Sequence, residues 1–306
     1  MILLCGSGED AVTRFLSRQL STYGVKHQLL DLSRYPVDYL VTNYRSSVWR
    51  FGSISWPEGS IQTDELTGVF TRNLTRWDDL PSSRLDANLA VALHAEKDLG
   101  LESLWMGLDC AVVNRFGSNW SNHSKPYQTL AFRGGGLFEI PKTLISNDLV
   151  AMRSFYEEAD GQVIYKAASG LSFGTVQVTL ENLESLLSEG NTPIQLQQRV
   201  TGVDIRVHVV SDQVFATRVR SGAIDYRRAG DERVHLEAIE LPVTTAAHCI
   251  QLTKRFGLLL SGIDLKETPD GRFYCFEVNT CPDFAFYEQS TGQPISGALR
   301  DLLSGR

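Results

Sequence analysis

The sequence predicts a mixed α/β protein of two or three small domains. Three observations carry this prediction. The chain opens as strand, helix, strand. Its last third is rich in hairpin patterns. At 306 residues it is long for one hydrophobic core.

Ile2–Cys5 is a short apolar strand, and Gly6-Ser7-Gly8 turns the chain. Asp10 is placed to cap a helix carrying Val12, Phe15, Leu16 and Leu20 on one face, and Gly24 ends it. His27–Leu32 resumes a strand. The Gly6/Gly8 pair is half a dinucleotide-binding fingerprint, but without its third glycine it reads as a tight turn. Val48–Trp56 and Ile61–Thr71 read as strands on either side of the Pro57-Glu58-Gly59 turn. Leu85–Trp105 is helical in pattern, with His94 read as structural among apolar residues. Residues 1–110 are therefore expected to form an N-terminal βαβ-type domain.

A second domain is expected over 111–192. Val112-Val113-Asn114 is a short strand. Ser124 can cap a helix that starts at Lys125 and Pro126 and ends before Gly134-Gly135-Gly136. Ile140–Ile145 is extended, and Asn147-Asp148 caps a helix to Glu158. Gln162–Lys166 is a strand that ends in a lysine. The small-residue loop Ala167–Thr175 follows, and Leu183–Leu187 lies in a helix. The last domain, 193–306, contains strands at Ile194–Val200, Asp204–Val210 and Gln213–Val219. A helix is predicted over Ala246–Phe256, then a hairpin from Gly262, and a closing helix over Pro294–Leu303.

That hairpin carries the most chemistry. Ile263–Leu265 is one strand, Pro269-Asp270-Gly271 the turn, and Arg272–Val278 the return. Asp264 sits on one strand, Glu277 and Asn279 on the other. Two residues apart on a strand, Glu277 and Asn279 share a face. Two carboxylates and an amide oxygen form a hard oxygen site, suited to Mg²⁺ with phosphate oxygens as further ligands. The alternative is a solvated hairpin with polar edges. Lys125 and Lys166, each alone a surface charge, join this triad in chain order to describe an ATP site, over which the Gly/Ser loop can close.

The net charge of −7 argues against nucleic acid as a partner. No apolar run reaches membrane-spanning length, and the N-terminus lacks the basic start of a signal peptide. Five scattered cysteines without a CxxC pair suit reduced thiols in the cytoplasm.

From about Val112 onward the chain resembles the ATP-grasp superfamily, in its RimK-like and glutathione-synthetase-like branch. Within that branch it looks most like the microviridin-type, or graspetide, ligases that mature ribosomal peptides. The resemblance is carried by Ser124–Gln128, Ile140–Asp148, Val163–Lys166, Gln197–Val200, Asp204–Val207, Asp225–Arg227, Gly262–Leu265 and Glu277–Asn279. The N-terminal region joins in pattern through Val69–Arg72. The resemblance implies an ATP-grasp fold, an N-terminal domain followed by central and C-terminal lobes that sandwich ATP. It implies that Lys125 and Lys166 hold phosphates, and that Gln198, Arg199 and Val200 form the hinge that reads adenine. Asp204 would touch ribose, and Asp264, Glu277 and Asn279 would hold Mg²⁺. Arg206 and Arg220 would steady the transferred phosphoryl group, and Arg227 would meet substrate. Gln198 departs from the usual glutamate, which weakens a side-chain contact to the adenine amino group. Thr280 stands before Cys281-Pro282 where relatives often have proline at once.

The implied reaction is ATP-dependent ligation of a carboxylate to an amine or hydroxyl through an acyl phosphate. The substrate is a peptide, a precursor peptide included, that is modified or macrocyclised, or else a free amino acid that is added to a small molecule or protein tail; a non-catalytic nucleotide-binding module is the rival class. A homodimer is left open.

Overall fold

The computed structural model describes residues 1–45, 50–72, 87–115, 124–133, 136–166, 176–183, 185, 192–221 and 234–306. The opening βαβ unit is present. β1 (Ile2–Gly6) is buried along its whole length, as expected of a parallel strand covered on both faces. α1 (Ala11–Thr22) begins where the Asp10 carboxylate accepts the Thr13 amide at 2.8 Å. It buries Val12, Phe15, Leu16 and Leu20. β2 (His27–Asp31) pairs in parallel with β1.

A separate antiparallel sheet contains β3 (Leu40–Arg45), β4 (Arg50–Trp56) and β5 (Gly59–Gln62). The strand expected over Ile61–Thr71 is thus two strands in two sheets. Thr63–Glu65 forms a 3₁₀ turn, closed by Glu65 accepting the Gln62 amide, and β6 (Gly68–Thr71) starts beyond it. β3 was not foreseen. β6 lies beside β1, and after α2 (Ala87–Met106) the short β7 (Ala111–Val113) completes the parallel sheet in the order β2-β1-β6-β7. The His94 side chain lies outside the described residues.

The helix Lys125–Arg133 leads to a second sheet of β8 (Thr143–Ser146), β9 (Val163–Lys166), β10 (Val176–Gln177) and β11 (Ile194–Gln198), in the order β10-β9-β11-β8. Asp148 caps the helix Leu149–Glu158 against it. The third sheet is antiparallel, ordered β14-β13-β12-β15-β16. Its strands are β12 (Val203–Val210), β13 (Gln213–Ser221), β14 (Val234–Ile239), β15 (Leu260–Glu267) and β16 (Phe273–Asn279). The helix Val243–Arg255 covers one face, burying Cys249 and Leu252 against Val207, Ile263 and Val278.

β7 belongs to the N-terminal sheet although it follows residue 110, and β11 belongs to the second sheet although it follows residue 192. The chain also returns at its end. The helices Ala285–Thr291 and Ile295–Leu303 pack with α1 on the N-terminal sheet, joining Phe284, Leu299 and Leu303 to Ile2, Leu4 and Phe15. Gly68 permits this contact, because a Cβ there would lie 2.5 Å from the Leu303 carbonyl oxygen. Among the described residues no helix is long and apolar enough to cross a membrane.

Candidate active site

The chemistry-bearing residues lie in adjacent rows across β12, β15 and β16. Arg206 is the cross-strand partner of Asp264, and Asp264 is the partner of Glu277. The next row is His208, Gly262 and Asn279. Alternation puts all of these side chains on one face, and Val207, Ile263 and Val278 into the core on the other. Past Asp264 the register shifts, so that Leu265 opposes Cys275 and Phe276 is the extra residue. Such a bulge re-aims side chains on the bent strand. Lys166, at the end of β9, brings its ammonium to 5.0 Å from the centre of the Phe276 ring. Lys166 of the second sheet thus stands beside the strand of the third that carries Glu277 and Asn279.

Arg206 is 4% exposed, and its Nη1 donates to Asp264 Oδ1 at 2.6 Å. Its guanidinium also lies 5.9 Å from the centre of the Tyr287 ring, which meets the His208 ring at a tilt of 59° with centroids 4.9 Å apart. His208 is fully buried. Burial first, then the charge of Arg206, hold its imidazole well below the ordinary histidine range. One row along, Asp204 pairs with Lys266 at 2.9 Å. Burial still raises the Asp204 carboxyl, outweighing the attraction of Lys266. The Asn279 side-chain oxygen accepts the Cys281 amide at 2.8 Å.

Three side chains without an expected role hold the strand that carries Glu277 and Asn279. Gln128 bonds the backbone of Val278 twice. Asn114 donates to the carbonyls of Leu260 and Thr280 and accepts the Leu259 and Leu260 amides. Arg72 forms an ion pair with Asp10 and donates to the Cys281 and Pro282 carbonyls and to Cys281 Sγ. Gln128 and Arg72 lie in stretches that carried the resemblance, so a signal existed. No sequence signal marks Asn114.

The structure therefore brings together Asp264, Glu277, Asn279, Arg206, Asp204 and Lys166, and Gln128 anchors the helix that begins at Lys125. Gln198 ends β11 and Arg199 and Val200 follow it, and two of their amides are committed: Gln198 N–H to Lys142 and Arg199 N–H to Gln162. Arg220 is not brought in. Arg206 opposes Thr217, so Arg218 and Arg220 point to the other face. Arg220 is 63% exposed there and lies 3.5 Å from Glu237. Arg227 and the 167–175 loop lie outside the described residues. Among the described residues no group of three or more His, Cys, Asp or Glu could hold a metal ion. What the face supplies is two carboxylates and an amide oxygen, a donor set that suits Mg²⁺ when phosphate and water oxygens fill the other positions.

A RimK-like ATP-grasp domain model matches residues 121–303. A probable alpha-L-glutamate ligase of Histophilus somni is 28% identical over 167 residues, 51% of this chain and 55% of that protein. Human N-acetylaspartylglutamate synthase A is 26% identical over 235 residues, 72% of this chain and 56% of the other. The chain spans about half the length of the curated relatives it matches. Solved structures match over almost the whole chain. The ATP-grasp ligase PsnB, in complex with minimal precursor, Mg and ADP, superposes with a TM-score of 0.82 at 27% identity, covering 99% of this chain and 96% of that one. The macrocyclase MdnC of Microcystis aeruginosa MRC, bound to precursor peptide MdnA, has a TM-score of 0.84 at 24% identity, covering 99% of both. The fold is the ATP-grasp fold, and the chain belongs to the RimK-like ATP-grasp family.

Proposed function

We propose that this protein is an ATP-dependent ligase that joins a carboxylate to an amine or hydroxyl through an acyl phosphate, acting on a ribosomally made peptide. The observation that carries this reading is the row Arg206–Asp264–Glu277, with Asn279 beside it and Lys166 reaching over Phe276. ATP supplies the phosphoryl group that activates the carboxylate, and Mg²⁺ draws off the charge that develops.

The chain's own residues divide the work. Asp264, Glu277 and Asn279 hold Mg²⁺. Lys125 and Lys166 hold the phosphates as point charges. Arg206, kept rigid by Asp264, Tyr287 and its burial, faces the transferred phosphoryl group and stabilises its charge without having to reorganise. The stretch Gln198–Val200 meets adenine through the backbone groups that Lys142 and Gln162 leave open, and Asp204 meets ribose. Arg227 keeps the substrate role that the resemblance gives it. Arg220, exposed on the far face, has no contact in this assignment.

The peptide reading is supported by the end-to-end match to PsnB, which includes the N-terminal domain. The matches to glutamate ligases favour a second reading, in which a free amino acid is added to a small molecule or protein tail. The five free cysteines suit a reducing cytoplasm, and the acidic balance suits neither nucleic acid nor an anionic membrane surface. Intact-mass analysis separates the readings. After incubation with ATP, Mg²⁺ and a neighbouring short peptide rich in Thr, Ser, Asp and Glu, cyclisation lowers the peptide mass by one water per bond. A residue-sized gain rejects intramolecular ligation. No change with any peptide favours the small-molecule reading.

A further inference from the structure

The helix Lys125–Arg133 meets the third sheet at one backbone position of its edge strand. Gln128 is 2% exposed. Its Nε2 donates to the Val278 carbonyl at 2.8 Å, and its Oε1 accepts the Val278 amide at 2.9 Å. Val278 lies between Glu277 and Asn279, with its own side chain fully buried in the core. Its amide and carbonyl therefore point sideways out of the sheet, where an added strand would pair. Gln128 fills that place with a side-chain amide, which presents one donor and one acceptor as a backbone does.

The rest of the edge is closed differently. Backbone groups of Glu139 take the Cys275 amide at 3.0 Å and the Phe273 carbonyl at 3.1 Å. The Phe276 bulge then shifts which residues face outward, so Val278 falls to Gln128. With both peptide groups of Val278 fixed, the directions in which Glu277 and Asn279 leave the strand are fixed as well. Gln128 also stands one turn after Lys125, a spacing that puts the two on the same side of the helix. Ser124 orders that turn, accepting the Gln128 amide at its carbonyl at 3.1 Å and the Tyr127 amide at its hydroxyl at 3.3 Å. One side chain thus joins the lysine-bearing turn to the strand that carries two of the three metal-type oxygens.

We propose that Gln128 is a positioning residue that couples nucleotide binding to Mg²⁺ binding, by locking the Lys125 turn onto the Glu277–Asn279 segment. This rests on the assignment of Lys125 to phosphate and of Asp264, Glu277 and Asn279 to Mg²⁺. Coupling of this kind is reciprocal: the factor by which Mg²⁺ tightens nucleotide equals the factor by which nucleotide tightens Mg²⁺. Glutamate in place of Gln128 has the same shape, but it loses the donor and sets a carboxylate against the Val278 carbonyl.

The test is calorimetry of ADP binding to the full chain, with and without Mg²⁺. It compares wild type, Gln128→Glu and Phe132→Leu. Phe132 belongs to the same helix and is buried against Phe256 in the core that also holds the Val278 side chain, but its apolar ring cannot bond the Val278 backbone. Wild type should bind ADP more tightly with Mg²⁺. In Gln128→Glu the Mg²⁺ enhancement should fall at least tenfold, while Phe132→Leu should keep it despite a lower melting temperature. If Gln128→Glu does not fold, Gln128→Met, which keeps the length and removes both bonds, carries the same expectation. A wild-type enhancement in the Gln128 variant, or an equal loss in Phe132→Leu, overturns the role of Gln128 alone. No Mg²⁺ enhancement in wild type overturns the site assignment itself.

Discussion

Asp264 accepts a 2.6 Å hydrogen bond from Arg206 Nη1 and has Glu277 as its neighbour on the next strand. One carboxylate is thus flanked by a guanidinium and by a second carboxylate. The arginine offsets one negative charge and leaves the pair net anionic. That residual negative charge favours a bound cation. Glu277→Ala removes one oxygen ligand and one source of repulsion. The expected outcome is a folded protein, no less stable without nucleotide, that has lost Mg²⁺-dependent ADP release. Thermal melting and an ADP assay check this, and normal turnover in the folded variant would reject the triad.

Gly262 sits in the next row, between His208 and Asn279, and its missing side chain is where Arg206 lies. A Cβ there would be 2.1 Å from Arg206 Nη2 and 2.6 Å from the Pro282 Cβ. Gly262→Ala must therefore displace the guanidinium and press on the segment after Asn279. A cost of about 1–3 kcal/mol is expected from overpacking, together with loss of turnover out of proportion to the loss of stability. Chemical denaturation and ADP release measure the two effects. Wild-type turnover would show that Arg206 need not keep this position.

Lys166→Met keeps the aliphatic stem and removes the charge. Nucleotide affinity should weaken by ~1–3 kcal/mol, the scale of a charge-assisted contact. Calorimetry with a non-hydrolysable ATP analogue reads this directly. Unchanged affinity would reject Lys166 as a phosphate-holding residue.

The triad was legible because its relations are local. Glu277 and Asn279 are two apart on one strand, and the turn closed by Gly271, at φ +78°, brings Asp264 opposite. The face of Arg220 could be read from the same alternation, which goes against the phosphoryl role that the resemblance implies for it. With the turn at Ser211 and Asp212, Val210 opposes Gln213, so Arg206 opposes Thr217 and Arg220 is out of phase. Other features depend on contacts between distant parts of the chain. Nothing near Phe276 announces the bulge. The three residues of β7 find their sheet through a partner some forty positions earlier, and Asn114 bonds partners near 260 and 280. Short strands and long-range hydrogen bonds leave little periodicity to read.

His208 gives a prediction about pH. It is fully buried beside Arg206 and Tyr287, and the Asp264 carboxylate and the backbone of Asp283 favour its charged form. Burial and Arg206 outweigh both and keep the folded imidazole neutral, well below its ordinary value of 6.5. The unfolded chain keeps the ordinary value. Below about pH 6.5 it binds a proton that the folded chain refuses, so this contribution to stability is complete above that pH and is lost as pH falls. The slope is at most ~1.4 kcal/mol per pH unit for one proton. Asp204 and Glu288 have raised carboxyls and act in the opposite direction, so the raw pH profile mixes the signs. Comparison with His208→Phe removes that mixture, because the carboxyl contributions are common to both proteins. Urea denaturation at pH 7.5, 6.5 and 5.5 (chosen to bracket the ordinary histidine value) should show wild type losing stability relative to the variant as pH falls. A difference that stays constant across the three would mean that His208 takes up its proton in the folded protein as readily as in the unfolded chain.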